Sequence, residues 1–212
     1  MAIVLWGSTA SRTWSVHWMM HELELDYQAR LVNPRSPVTT DPSFRALNPS
    51  GKIPVLQDGD FVLTETVAII SYLGDHYGAH TSLVPEPRTR LRAKYDQWCS
   101  FTIMELDAQA LYISRKHEAL VDIYGEAPTA VEVARQTFVR QSTIFEQVLD
   151  KAGPWVLGAS FSAADILLVF CLRWAMDYDW PVSEPLQAYV ERATSRPAFA
   201  RAMSATQPEA ST

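Results

Sequence analysis

The chain has 212 residues, 48% of them apolar and 20% charged, which is ample for packed cores and too little charge for a disordered protein. A formal charge of −6 argues against nucleic acid or an anionic membrane as the main partner, and the two cysteines, Cys99 and Cys171, stand in no metal or redox spacing. No apolar run approaches membrane-spanning length, and Met1 to Gly7 reads as a first strand rather than a signal peptide, so the expectation is a soluble, acidic, cytoplasmic protein.

Ile3 to Trp6 reads as that strand, leaving through Gly7-Ser8-Thr9. From Arg12 to Glu24 apolar residues recur at Trp14, Val16, Trp18-Met19-Met20 and Leu23, a helical stripe. Tyr27 to Val32 is a second strand, and Asn33 to Pro37 breaks regular structure. Asp41 caps a short helix with Pro42 in its first turn. Val55-Leu56-Gln57, Asp58-Gly59 and Phe61-Val62-Leu63 form a hairpin signal, and a helix follows from Thr66 to about Tyr77. That order is βαβ, a short helix, then ββα. Residues 79–87 are polar, carry two prolines and read as a linker. Beyond it the chain reads as all-helical, over 88–116, 129–151 and 163–178, with shorter pieces from Pro185 and Pro197. Ser162-Ala163-Ala164-Asp165 has the form of a capping box with Asp in place of the usual Glu, and Phe161 stands at its staple position. The expected organisation is an α/β domain over 1–78, the linker over 79–87, an all-helical domain over 88–204 and a frayed tail over 205–212.

The most informative stretch runs from Asn48 to Tyr72. Pro54 opens a strand and cannot donate a ladder hydrogen bond, so it belongs at the strand's first residue or edge. If the Ile53-Pro54 bond is cis, Ile53 keeps main-chain groups that no strand uses and a bound peptide could. Glu65-Thr66 falls where the second hairpin strand gives way to a helix. An acid and a hydroxyl there cap free N–H groups, and equally present them to an anion. On residue type alone capping is the simpler reading. His17 and His21 stand four apart on one helical face without further ligands, so the expectation is exposed histidines and no metal.

The pairing of Asn48-Pro49-Ser50-Gly51-Lys52-Ile53-Pro54 with Glu65-Thr66 resembles the glutathione-binding site of the cytosolic glutathione transferases, in their bacterial, serine-type form. The resemblance covers nearly the whole chain. It implies a thioredoxin-like first domain with four strands and a cis bond before Pro54. It implies that Ile53 offers its N–H and C=O to the cysteinyl part of glutathione, beside Pro54, and that Glu65 and Thr66 hold the γ-glutamyl end, where relatives usually carry Glu-Ser. Lys52 would pair with a glutathione carboxylate. Thr39 and Thr40 stand where many relatives have a basic residue, and Arg35 is a possible substitute.

The resemblance also frames the catalytic residue. No tyrosine or cysteine lies in the first strand or its exit, leaving Ser8, Thr9, Ser11 and Thr13 as hydroxyl donors to the thiolate. Aligned from Gly7 the family's serine falls on Ser11; aligned backward from Val16 it falls on Ala10, which cannot serve. Thr9 replaces a proline of the best-matching relatives and is the second candidate. Ser15 replaces a usual arginine. Trp14, Met104 and Trp174, with Phe101, Tyr112 and Tyr178, are candidates to line a hydrophobic second-substrate site, although such stripes more often form core. The implied activity is conjugation of glutathione to small hydrophobic electrophiles by a homodimer, with glutathione as co-substrate and no metal. A glutathione-dependent disulfide reductase or isomerase, and a noncatalytic scaffold of the same fold, are the alternatives.

Overall fold

The computed structural model describes residues 2–9 and 11–204, which form two compact units, one running to Thr81 and rejoined from Thr194, the other from Ser82 to Ala193. In the first unit, β1 (Ile3–Trp6), β2 (Tyr27–Arg30), β3 (Val55–Asp58) and β4 (Phe61–Thr64) make one sheet in the order β2-β1-β3-β4. β1 and β2 are parallel, joined through α1 (Thr13–Glu22), and β3 and β4 continue the sheet antiparallel. Two short helices, α2 (Pro37–Thr40) and α3 (Pro42–Leu47), lead into β3, and α4 (Thr66–Tyr77) follows β4. Asp41 accepts from the Ser43 N–H at 2.8 Å, as its place before Pro42 predicts. The core is built from Leu5, Leu56, Val16, Trp18, Met20, Ile69, Ile70 and Leu73, all fully buried, drawn from the sheet, α1 and α4. The expected βαβ-α-ββα order is present, with α2 added where Asn33 to Pro37 read only as a breaker.

The second unit is helical. α5 (Arg90–Phe101) passes without a break into a π-helical stretch, Thr102–Leu111, then α6 (Tyr112–Ser114) and a second π-helical stretch, Arg115–Ala119. The sequence predicts one helix over this span. A ten-residue segment holds too few turns for apolar spacing to separate the two helix types. α7 (Val121–Tyr124), α8 (Pro128–Ala152), α9 (Ala163–Asp177) and α10 (Glu184–Thr194) complete the unit. At the start of α9, Asp165 is fully buried and accepts from the N–H groups of Val156 and Ser162, both at 2.8 Å, and from the Ser162 and Tyr189 hydroxyls, both at 2.7 Å. Burial pushes its carboxyl above the usual carboxylate range while these four donors pull it back. Two of the donors are backbone N–H groups that can only donate, so the shell fits the ionised form.

The last helix, α11 (Pro197–Ser204), belongs to the first unit, where the sequence places it in the helical domain. Its Phe199 packs edge-on against Trp14 and Trp18, with ring centroids 5.5 and 5.1 Å apart. Arg196 just before it makes a two-pronged contact with Glu22, both distances 2.6 Å. A short amphipathic helix thus finds its apolar surface on α1. Residues 205–212, read as a tail, lie outside the described residues. No helix among the described residues is long and apolar enough to cross a membrane.

Candidate functional site

The strand register gathers the candidate binding residues at one end of the sheet. Trp6 at the end of β1 is paired with Val55 at the start of β3, and Val55 with Thr64 at the end of β4. The exit Gly7 to Ser11, the Lys52-Ile53-Pro54 segment and the Glu65-Thr66 corner therefore extend from three neighbouring strand ends. Both flanking turns of that edge rest on glycine. Gly7 has φ +133°, and a Cβ there would lie 2.2 Å from the Thr13 hydroxyl oxygen. Gly51 has φ +63°, and a Cβ would lie 2.5 Å from the Arg45 guanidinium carbon and 2.7 Å from the Thr39 carbonyl.

Asn48 organises the loop that presents Ile53. Its side chain is buried, donates to the Lys52 carbonyl at 2.8 Å and accepts from the N–H and hydroxyl of Ser50 at 3.1 and 2.8 Å. Arg45 holds the Pro49 carbonyl at 2.6 Å. The Ile53-Pro54 bond is cis and Pro54 is buried, whereas Ile53 is half-buried and has no main-chain hydrogen-bond partner among the described residues. Lys52 is exposed beside it. Thr39 and Thr40, at the position where a basic residue is common, spend their hydroxyls on the Ser36 and Pro37 carbonyls, both at 2.8 Å. Arg35 is exposed.

The Glu65-Thr66 corner departs from an ordinary helix cap. Glu65 has φ +69° and ψ +121°, outside the left-handed well, a backbone state that costs of order 1–3 kcal/mol for a residue with a Cβ. Its exposed side chain makes no cap hydrogen bond. Thr66 is buried with its hydroxyl unpartnered among the described residues. The helix start is therefore strained, acidic and open, which simple capping does not account for.

At the start of α1 the hydroxyls are instead engaged with one another. Ser11 Oγ donates to the Ser8 carbonyl at 3.0 Å, lies 2.8 Å from Thr13 Oγ1 and accepts from the Thr13 N–H at 3.2 Å. Ser11 thus stands one residue before the N-cap Arg12 and bonds the first N–H of α1; it is half-buried like Thr9, whereas Thr13 is fully buried. Ser8 hydrogen-bonds Asn33 at 2.8 Å. Ser15 is fully buried with its hydroxyl unpaired among the described residues. Ala10 lies outside the described residues.

His17 corrects the expectation of exposed histidines. It is fully buried, with Nε2 3.0 Å from the Gly7 carbonyl and Nδ1 2.8 Å from the Tyr27 hydroxyl. A carbonyl can only accept, so Nε2 carries the proton and Nδ1 accepts from Tyr27. Burial lowers the His17 pKa to about 4, leaving it neutral at pH 7, and the ring fastens the strand exit to α1. No composition signal marks it; it sits between Val16 and Trp18 as one more inward helix position. No group of metal-ligating side chains is found among the described residues.

The hydrophobic candidates are spread over both units. Trp14 lies in the first unit, buried against Trp18 and Phe199, with its indole N–H 2.6 Å from the Met203 sulfur. Packing therefore accounts for it fully. Met104 is 51% exposed in the first π-helical stretch, and Trp174 is half-buried on α9; both lie in the helical unit.

The four-stranded sheet with its cis-proline edge is a thioredoxin-like domain, and the helical unit that follows completes the two-domain architecture of glutathione transferases. Family models for the glutathione S-transferase N-terminal domain and C-terminal domain match residues 11–76 and 101–197. The chain is 27% identical over 210 residues to glutathione S-transferase GstB of Escherichia coli strain K12, covering 92% of this chain and 95% of the relative. A solved glutathione S-transferase from Xylella fastidiosa superposes with a TM-score of 0.85 at 25% identity, covering 96% of this chain and 98% of that one. A theta-class enzyme from Xanthomonas axonopodis pv. citri, solved with glutathione bound, gives 0.77 at 27% identity over 95% and 96%. The chain belongs to the cytosolic glutathione S-transferase family.

Proposed function

We propose that this protein is a serine-type glutathione transferase that conjugates the glutathione thiolate to small hydrophobic electrophiles, acting as a cytoplasmic homodimer with no metal. The carrying observation is the open helix start at Glu65-Thr66, whose strained backbone and unspent carboxylate and hydroxyl sit at the strand end next to the unpartnered main chain of Ile53. In this reading Ile53, beside cis-Pro54, pairs with the cysteinyl residue of glutathione. Glu65 binds its ammonium group, Thr66 and the N–H groups of α4 bind the γ-glutamyl carboxylate, and Lys52 pairs with a carboxylate.

Chemistry then requires a thiolate. A cysteine-like thiol titrates near ~8.5, and lowering that by about two units takes roughly 2.7 kcal/mol of preferential thiolate stabilisation. In this reading Ser11 contributes to it. Its two lone pairs face the N–H and hydroxyl of Thr13, and its proton points to the Ser8 carbonyl. Turning that proton onto sulfur exchanges a neutral hydrogen bond of about 1 kcal/mol for a charge-assisted one of about 1.5–3. Thr13 hydrogen-bonded behind it polarises the donor further. Thr9 is the reserve donor on the same loop. The thiolate attacks the electrophile, the leaving group departs, and orientation plus thiolate stabilisation supply the rate enhancement.

The test is the thiolate absorbance of bound glutathione at pH 7, together with conjugation of 1-chloro-2,4-dinitrobenzene. Ser11→Ala should raise the bound thiol's pKa by about one unit and lower conjugation about tenfold with glutathione affinity retained. An unchanged thiolate signal in that variant removes Ser11 from the mechanism.

A further inference from the structure

The helical unit carries a second set of groups that glutathione does not account for. Phe170 and Trp174 on α9 and Tyr178 at its C-cap are spaced four apart along one side and are all half-buried, with successive ring centroids 5.7 and 6.1 Å apart. The Arg115 guanidinium lies over Trp174, 6.0 Å from the ring centroid. Arg115 is half-buried, and no ion pair or hydrogen bond joins it to another described residue. The acid nearest to it in sequence, Glu118, accepts from the Ser114 hydroxyl. Contact with an aromatic face occupies a guanidinium's plane and leaves its five in-plane N–H donors unspent.

Two further observations set this arginine apart from an ordinary surface charge. It opens the second π-helical stretch, Arg115–Ala119, and π-helical turns are rare and concentrated at functional sites. The neighbouring cation, Lys116, is occupied elsewhere, its ammonium 5.0 and 5.5 Å from the Tyr112 and Tyr124 rings. The aromatic face therefore has one uncompensated guanidinium, with its donor edges free.

We infer that Arg115 and the Phe170-Trp174-Tyr178 face bind the second substrate as an aromatic acid, the planar ring against the aromatic side chains and the carboxylate on the guanidinium. The inference deepens the transferase reading, which it rests on for its catalytic sense. The binding itself needs no glutathione, so it is tested without it.

The probes are 2-naphthoate and its neutral isostere 2-naphthamide, titrated against the full-length protein by calorimetry in the absence of glutathione. The wild type should bind the naphthoate at least about fivefold more tightly than the amide, the gain expected of one partly screened ion pair. Arg115→Gln should bring that ratio to about one while leaving naphthamide affinity unchanged, and Arg115→Lys should keep part of the preference. Trp174→Ala should weaken both probes alike. A wild type with no preference for the acid, or a preference that survives in Arg115→Gln, overturns the inference. Failure of the transferase reading would appear separately, as lost glutathione binding or absent conjugation.

Discussion

Two helix starts in this molecule use the same residue types to opposite ends. At the start of α9, Asp165 is fully buried and takes four hydrogen bonds, closing every donor around it. At the start of α4, Glu65 is exposed, held at φ +69°, and bonds to no donor of its own helix. A carboxylate that completes its shell internally serves the fold; one left open at a strained corner does no such work for its own helix, which is what the ligand role proposed above draws on. Composition is nearly identical at the two sites, so the difference lies in burial and backbone rather than in residue choice.

The sharpest break in that contrast comes from Asp165→Ala. It strands two buried N–H groups and the Tyr189 hydroxyl, for a loss of about 4 kcal/mol and a melting temperature lower by roughly 10 °C, with glutathione affinity of the folded fraction unchanged. A small shift in melting would mean the shell is not structural.

The middle of α1 adds a pH signature. His17 has a folded pKa of about 4 against 6.5 unfolded, so the unfolded chain binds the extra proton between those values. Its contribution is complete above pH 6.5 and is lost as pH falls towards 4, up to about 3 kcal/mol. Denaturant titrations from pH 7 to 4 should show that slope in the wild type and a flatter one in His17→Gln.

The smallest effect tests the open corner. Glu65→Gly removes the carboxylate and relieves the positive φ together. Glutathione affinity should fall by about 2 kcal/mol while the fold gains about 1 kcal/mol, read by calorimetry and melting on the same sample. Loss of stability on that substitution would return Glu65 to a capping role.

How much of this was legible beforehand follows from how local each signal is. Strands at Ile3, Val55 and Phe61, the α4 start and the Ser162–Asp165 box are written in neighbouring residues, and the structure bears them out. The cis bond before Pro54 and the helix start at Glu65-Thr66 were legible because a proline opening a strand and an acid-hydroxyl pair at a strand-to-helix junction are local signals. The burial of His17 was not, because it depends on Gly7 and Tyr27 arriving from two strands. Nor was the π-helical path through Thr102–Leu111, nor the tie of Arg115 to Trp174 from a helix 59 positions on. Trp14 shows the converse: read as a candidate substrate contact, it is packed by Phe199 and Met203 of α11.

That last packing has a consequence for how the protein is made. The sheet unit draws on segments before and after the helical unit, so during synthesis Trp14 and Trp18 emerge before that unit and their partner Phe199 only after it. Until then two indoles stand without their cover, and the Glu22 carboxylate without Arg196. A version shortened before Thr194 would keep every strand and every residue proposed above to bind glutathione, yet leave this apolar patch permanently open.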